Sequence, residues 1–302
     1  MAEKKMTLIG GQAVIEGVMM KGPKGIVTSV RRKDGKIVSR KEVLPKSSKL
    51  SRIIFLRGIA NLIEMLVVGI RALVWSSNQA LDDEEEEEEF GAKEIALLLI
   101  VSFGFAIGFF VALPYFLTHV IGFKETASPV LFNLIDGIIK IALFFAYLIS
   151  ISFMKDIRRL FEFHGAEHMS VYCYEAKKEL TVENVKKYAT EHPRCGTSFI
   201  IIVLIISILI FALIPTLVLW IYPGFEELGF WIQKSVLFPL RILFIPVVAG
   251  ISYEVLRITA KHDKNPLFKV MTLPGLLTQK ITTKKPDDRQ LEVAIHALKQ
   301  VI

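Results

Sequence analysis

Four long apolar stretches constrain this chain more than any other feature of its sequence. They cover Glu94–Ile121, Pro129–Phe153, Ser198–Tyr222 and Gly229–Tyr253, in a chain that is 52% hydrophobic. A helix needs roughly 20 apolar residues to cross a hydrocarbon core of about 30 Å, and each stretch is long enough. The sequence therefore predicts a mainly α-helical polytopic membrane protein with four transmembrane helices.

Two of the predicted spans carry charged residues. Asp136 and Lys140 are four residues apart in the second span, and Lys234 and Arg241 lie in the fourth. An unpaired charge at the centre of a span costs about 2.5–3.5 kcal/mol, so such residues usually pair or face a polar interior. Because residues four apart share one helix face, we expect Asp136 and Lys140 to neutralise each other.

The distribution of basic residues predicts the orientation of the chain. Lys and Arg number twelve in residues 1–50, eight in 154–197 and nine in 257–302. The loop 122–128 has a single lysine, and 223–228 has neither Lys nor Arg. Loops rich in Lys and Arg stay in the cytoplasm, so both termini and the 154–197 loop are predicted to be cytoplasmic in a multi-pass protein of the cell membrane. Anionic lipid as a partner explains the net charge of +7, with no need for nucleic acid.

The segments before the first span predict two smaller elements. β-rich runs flank Asp34-Gly35, a strong hairpin signal, which indicates a small cytoplasmic β unit near the N-terminus. Residues 51–77 form an amphipathic pattern; a span there would move the basic N-terminus outside, so a helix in the inner interface or a re-entrant helix is expected. In chain order, the predicted parts are a cytoplasmic β-rich unit at 1–50, this helix at 51–77, an acidic linker at 78–93, a first transmembrane pair at 94–153, a cytoplasmic helical loop at 154–197, a second transmembrane pair at 198–256, and a cytoplasmic tail at 257–302 that ends in a helix.

Two histidines and a glutamate fall within five positions shortly after the second predicted span. His164, Glu167 and His168 form H-x-x-E-H, which on a helix places both imidazoles on one face, one turn apart. The pattern is the inverted form of a zinc-protease motif. Glu175 lies seven residues beyond His168 on the same stripe and could add an oxygen ligand. The alternative is an ordinary helix that carries three polar residues.

A second group of metal-ligand residue types precedes the third span. His192 and Cys195 lie in "TEHPRCGTSF", and Thr181 can cap a short helix that brings them back toward His164 and His168. Imidazoles with a thiolate suit zinc or another borderline divalent ion. Three protein ligands would leave one position open, as in catalytic zinc sites. A reducing cytoplasm argues against a disulfide between the two cysteines of the chain.

Eight segments in order resemble the bacterial YqhQ-like family, over nearly the whole chain. They are "GGQAVIEGVMM", "FHGAEH", "LTVENV", "HPRCGTSF", "AGISYE", "PGLLTQ", "ITTKKP" and "LEVAIHAL". That family is known as uncharacterised membrane proteins predicted to be metal-dependent enzymes. The resemblance implies a site made of His164, Glu167, His168, His192 and Cys195, with Gln12 and Glu16 as further candidates.

Two functions remain open from the sequence. In the first, a metal-dependent hydrolase at the cytoplasmic face acts on a membrane-embedded or lipid-linked substrate; Glu167 is the general base and Arg194 steadies a developing oxyanion. In the second, a non-catalytic adaptor or regulator docks on membrane-protein machinery such as the secretion apparatus, and the His/Cys cluster is structural. A transporter is less attractive, because the sequence shows no inverted repeat.

Overall fold

The computed structural model describes residues 9–43, 53, 56–80, 91–261 and 265–302, most of them helical. Four strands come first: β1 Gly10–Val14, β2 Gly17–Gly22, β3 Gly25–Arg31 and β4 Ile37–Glu42. The helices are α1 Leu56–Ala80, α2 Ala92–Ile107, α3 Leu113–Val120, α4 Pro129–Ser152, α5 Lys155–Glu175, α6 Val182–Val185, α7 Thr197–Ile221, α8 Phe230–Lys261, α9 Pro266–Thr282 and α10 Asp288–Val301. A π-helical turn joins α2 to α3, and a short 3₁₀ helix joins α7 to α8.

The four strands form an antiparallel meander in the order β1-β2-β3-β4. Its β3–β4 hairpin turns at Asp34-Gly35, as the sequence predicts: Gly35 takes a φ of 85°, and the Asp34 carboxylate accepts a hydrogen bond from the Lys36 N–H at 2.9 Å. Glycine adopts this positive φ without the steric cost that a side chain brings. The small N-terminal β unit is thus confirmed as a four-stranded sheet.

Helices cover both faces of this sheet. Alternate residues of a strand face opposite sides, and here Val18 and Met20 pack on α5 and α10, while Val14 and Met19 pack on α1. The helix that the sequence predicts at the end of the chain is capped by Asp287, whose carboxylate accepts a hydrogen bond from the Gln290 N–H, and it buries one apolar face. The three segments that were predicted to be cytoplasmic therefore share one apolar core.

Helix α1 lies along the sheet for most of its length. Glu64 forms an ion pair with Lys21 at 2.8 Å, the Ile15 N–H donates to the Ser76 hydroxyl at 3.2 Å, and Gln79 accepts from Arg32. At its other end, Arg57 pairs with Glu254 of α8. At its C-terminal end, α1 extends to Ala80, beyond residue 77, where the amphipathic pattern in the sequence ends. Of the predicted acidic linker at 78–93, residues 81–90 lie outside the described residues.

Within the described residues, five helical segments are long and apolar enough to cross a membrane, by length and composition. They are Leu56–Ala80, Ala96–Val120, Pro129–Ser152, Thr197–Ile221 and Phe230–Thr259. The last four match the four predicted spans closely, and the first is the helix that packs on the sheet. The sequence predicts four spans, so Leu56–Ala80 is an additional candidate.

Buried charges connect α3, α4 and α8. The expected pair is present, with Lys140 Nζ 2.5 Å from Asp136 Oδ2, and Arg241 extends it. The fully buried Arg241 guanidinium lies 2.9 Å from Glu125 Oε1 and donates to Asn133 Oδ1 at 2.8 Å. Lys234, the other basic residue of the fourth span, donates to the Tyr115 hydroxyl at 2.6 Å. A guanidinium removed from water is stable only when paired in this way.

Replacing Arg241 is therefore expected to destabilise the protein strongly. Arg241→Ala leaves the Glu125 and Asp136 carboxylates buried without this partner, a change that costs about 3–5 kcal/mol. The midpoint of thermal unfolding of the purified protein measures the effect. Arg257→Ala, at an exposed position on the same helix, is the matched control and is expected to cost about 0.5 kcal/mol or less. Equal midpoints for the two variants would contradict a stabilising role for the buried network.

Candidate metal centre

In the described part of the chain, three potential ligand atoms lie within 4.8 Å of one another. They belong to His164, His168 and Cys195. The two histidines lie one turn apart on α5 with ring centroids 4.4 Å apart, as the H-x-x-E-H spacing predicts. Cys195 comes from the turn before α7, and its thiol donates to His164 Nε2 at 3.2 Å. The structure thus brings together three of the four predicted metal ligands.

Backbone carbonyls orient both imidazoles. His164 Nδ1–H donates to the Thr282 carbonyl at 2.8 Å, and His168 Nδ1–H donates to the Thr190 carbonyl at 2.5 Å. This tautomer leaves Nε2 of each ring without a proton, so both lone pairs can bind a cation once the Cys195 thiol, which donates to His164 Nε2, has lost its proton. The same outer contact, from the second ring nitrogen to a carbonyl, accompanies most histidines that bind metals in proteins.

Burial keeps these groups uncharged without a cation. It lowers the pKa of His164, lowers the pKa of His168 well below its usual range, and raises the pKa of the Cys195 thiol to about 12. Neutral imidazole is the form that binds metal ions, so both histidines are ready at neutral pH. The thiol must lose its proton to bind, which makes metal binding release a proton.

Glu167 lies at the edge of the cluster. Its Oε2 is 3.7 Å from His168 Nε2, and its carboxylate accepts a hydrogen bond from the Gly11 N–H of β1. Burial raises the pKa of Glu167 to about 8, partly offset by that hydrogen bond. A carboxyl group with a pKa near neutrality can both accept and return a proton under physiological conditions.

His192 lies beside the cluster rather than in it. Its ring centroid is 5.7 Å from that of His168 and 4.3 Å from that of Tyr172. His192 Nδ1 accepts a hydrogen bond from the Arg194 N–H at 3.2 Å, which places the ring proton on Nε2. Nε2 is 3.5 Å from Glu175 Oε2, and burial lowers the pKa of His192 to about 4. In this geometry His192 Nε2 lies beside Glu175, outside the group formed by the ligand atoms of His164, His168 and Cys195.

The remaining predicted site residues take other positions. Glu175 forms an ion pair with Arg194, so both lie next to His192. Gln12 contacts α1, since its Oε1 is 2.5 Å from where a Cβ at Gly69 would lie. Glu16 sits in the β1–β2 turn with a φ of 52° and accepts two hydrogen bonds from Arg159, one of them at 2.6 Å. None of these contacts involves the three clustered ligands.

Sequence reasoning missed the backbone groups that orient the site. The carbonyls of Thr190 and Thr282 and the N–H of Gly11 act through the main chain, which carries no residue-type signal. Gly11 and Thr282 do lie in segments on which the family resemblance rests. The Cys195 sulfur also contacts the Thr197 hydroxyl at 3.1 Å and accepts a hydrogen bond from the Thr197 N–H at 3.4 Å.

Comparison with known proteins shows the family of this chain. The profile of a family described as a protein of unknown function (DUF1385) matches residues 53–302. The chain belongs to this family. It is similar to the "Uncharacterized protein YqhQ" of Bacillus subtilis (strain 168), with 36% identity over 97% of this chain and 92% of that protein. No solved structure matches the chain. The predicted resemblance to the YqhQ-like family is confirmed, and these relatives carry no information on catalysis.

The approach of β1 to α5 generates a test of the site. A Cβ at Gly11 would lie 2.6 Å from the Met19 carbonyl oxygen and 2.9 Å from Glu167 Cγ, while one at Gly10 would meet nothing within 4 Å. Gly11→Ala should therefore separate β1 from Glu167 and destabilise the protein by about 1–3 kcal/mol, as overpacking does. Gly10→Ala is the control, with an effect of about 0.5 kcal/mol or less. If thermal unfolding gives the same midpoint for both variants, the close contact between β1 and Glu167 is wrong.

Proposed function

We propose that the protein is a metal-dependent enzyme, a hydrolase at the cytoplasmic face of the bacterial inner membrane, whose substrate is membrane-embedded or lipid-linked. One observation carries the proposal. Three oriented ligands, His164, His168 and Cys195, converge with a buried carboxylate, Glu167, at their edge. Catalytic zinc sites use three protein ligands and keep one position open, whereas structural sites are closed by four.

The donor set fits a divalent metal, with zinc as the best match. Two imidazoles and one thiolate are borderline and soft ligands, a combination that zinc accepts in tetrahedral geometry. The preset Nδ1–H contacts to Thr282 and Thr190 fix the direction of both rings before any cation arrives. When bound, zinc would supply Lewis acidity and make water a nucleophile near neutral pH.

The surrounding residues suit hydrolysis. Glu167 would take the proton of the attacking water and pass it to the leaving group, and the Gly11 N–H holds its carboxylate in place. Arg194 would stabilise negative charge that develops on the substrate, and its ion pair with Glu175 fixes its position beside His192. The buried His192 Nε2–H is a further donor toward the same region.

The shared apolar core supports four membrane crossings. The sheet and α5 pack together, so both lie on one side of the membrane and an even number of crossings separates them. Among the described residues, three candidate spans lie between them in sequence, so an even number of crossings would leave one of the three outside the bilayer. Helix α1 is that one, because it lies along the sheet through Lys21–Glu64 and Ile15–Ser76. An interfacial position for α1 fits both this count and its amphipathic pattern.

The location of the ligands supports a membrane-associated substrate. Cys195 lies two residues before α7, an apolar helix long enough to span the bilayer. The segments that surround the cluster are rich in Lys and Arg, which favours the cytoplasmic side. A substrate that reaches the cluster from the bilayer would therefore be a lipid-linked molecule or a segment of a membrane protein.

The second candidate is a non-catalytic adaptor of membrane-protein machinery, such as the secretion apparatus. The observation in its favour is that the cluster joins α5 to the loop before α7 and to the end of α9 through Thr190 and Thr282. A structural metal at this position would hold the apolar core formed by the sheet, α5 and α10 against α7 and α9. In that case Glu167 would close the site as a fourth ligand.

The variant Glu167→Gln separates the two candidates. In the enzyme, metal content stays at the wild-type ratio, while hydrolysis of phospholipid or membrane-peptide substrates in nanodiscs falls by about 10²–10⁴-fold, because the general base is lost. Elemental analysis of the purified protein measures the first quantity, and product release measures the second.

Two further variants complete this experiment. His164→Ala/His168→Ala is expected to lose the metal, and His296→Ala, at an exposed position on α10, is the matched control that keeps it. Loss of metal in Glu167→Gln favours the structural site. Wild-type metal content in the double-histidine variant would exclude the cluster as a metal centre.

The proposed topology predicts opposite labelling of two engineered cysteines. Glu227→Cys lies between α7 and α8, and Lys285→Cys lies between α9 and α10, both at exposed positions. Cys173 and Cys195 are buried and contribute little background. An impermeant maleimide should label Glu227→Cys in spheroplasts and Lys285→Cys only after the membrane is broken. The reverse order would contradict the cytoplasmic placement of the sheet and both termini.

A further inference from the structure

A basic cavity of about 440 Å³ lies away from the metal ligands. It is bounded by the β1–β2 turn, the β3–β4 hairpin, the C-terminal end of α1 and the first turns of α5 and α10. Five basic residues line it, against one acidic residue: Arg31, Arg32, Lys33, Arg159, Arg289 and Glu16. Its volume falls within the range of small-molecule sites in proteins.

Among the described residues, the ion pairs formed by Arg159 and Arg31 balance part of the positive charge of this cavity. Arg159 pairs with Glu16, and Arg31 pairs with Glu292 at 2.5 Å. Arg32, in contrast, donates to the neutral amide oxygen of Gln79, which leaves its charge in place.

One donor in the wall also lacks a partner. Arg31 Nε is buried and makes no hydrogen bond within the described residues. Buried N–H groups in native proteins nearly always have a partner, so this donor is available to an acceptor that enters the cavity.

We propose that this cavity binds a phosphate group. A planar guanidinium group binds phosphate through two parallel N–H···O bonds. Several guanidinium groups around one ligand favour a compact phosphate dianion over a carboxylate, which carries a single negative charge. Phe163 and Ile15 add an apolar wall that can contact the carbon part of a phosphate-bearing ligand.

The position of the cavity leaves two sources for this phosphate. Arg159 lies in the first turns of α5, which begins three residues after α4 ends, so the cavity is near the proposed inner membrane surface. Anionic lipid headgroups and free phosphate compounds both reach that position. None of the three metal ligands lines this cavity, so the proposal does not depend on metal binding. Phe163 in its wall is the residue before His164 on α5.

Isothermal titration of inorganic phosphate into the full-length purified protein tests the proposal. We expect saturable binding at one site, weakened about tenfold by Arg289→Gln or Arg32→Gln, since each removes a charged hydrogen-bond donor. Lys299→Gln, which removes one exposed positive charge from the same helix as Arg289, is the control and should bind as the wild type does. Metal content is measured in every variant, so that a lost metal is not mistaken for a lost phosphate site.

A competition arm identifies the source. Displacement of phosphate by nanodiscs of phosphatidylglycerol, but not of phosphatidylcholine, assigns the cavity to anionic lipid; retention in both assigns it to a free phosphate compound. Absence of saturable binding would overturn the proposal. Equal affinity in Arg289→Gln, Arg32→Gln and Lys299→Gln would overturn it as well.

Discussion

The apolar contact between the sheet and helices α5 and α10 is the interaction on which the rest of the structure depends. It joins parts of the chain that are more than 250 residues apart, such as Val18 and Leu298, into one core. The Gly11 N–H reaches Glu167 only because β1 lies against α5 in this core. The same contact places the sheet, α5 and α10 on one side of any membrane that the apolar helices cross. The chemistry of the cluster and the proposed topology therefore follow from one packing arrangement.

Local periodicity explains what the sequence could predict. The spacing of His164 and His168 fixes their rings on one helix face, and the ring centroids are indeed 4.4 Å apart. The apolar spans follow from length and composition, and Asp34-Gly35 gives the hairpin from turn chemistry. Each of these features depends on residues within a few positions of one another, which is the range where sequence patterns determine geometry.

Contacts between distant segments of the chain explain which features the sequence could not predict. Cys195 joins the cluster and His192 does not, because the turn before α7 directs the His192 ring toward Tyr172. Arg241 and Glu125 pair across 116 positions, and no periodicity relates two such residues. The packing of α1 on the sheet could not be predicted for the same reason. Its amphipathic pattern predicts an apolar helix face, but such a face can be covered by lipid or by the sheet.

X-ray absorption at the zinc edge of the purified, zinc-loaded protein is the most direct test of whether His164, His168 and Cys195 bind one ion. The account predicts a first shell with two nitrogen ligands at about 2.0–2.1 Å and one sulfur ligand at about 2.3 Å, from the two histidines and Cys195. An additional oxygen ligand, from water or a carboxylate, is consistent with this set of ligands. A shell without sulfur, or one with only oxygen ligands, would contradict the assembly of His164, His168 and Cys195 around one ion.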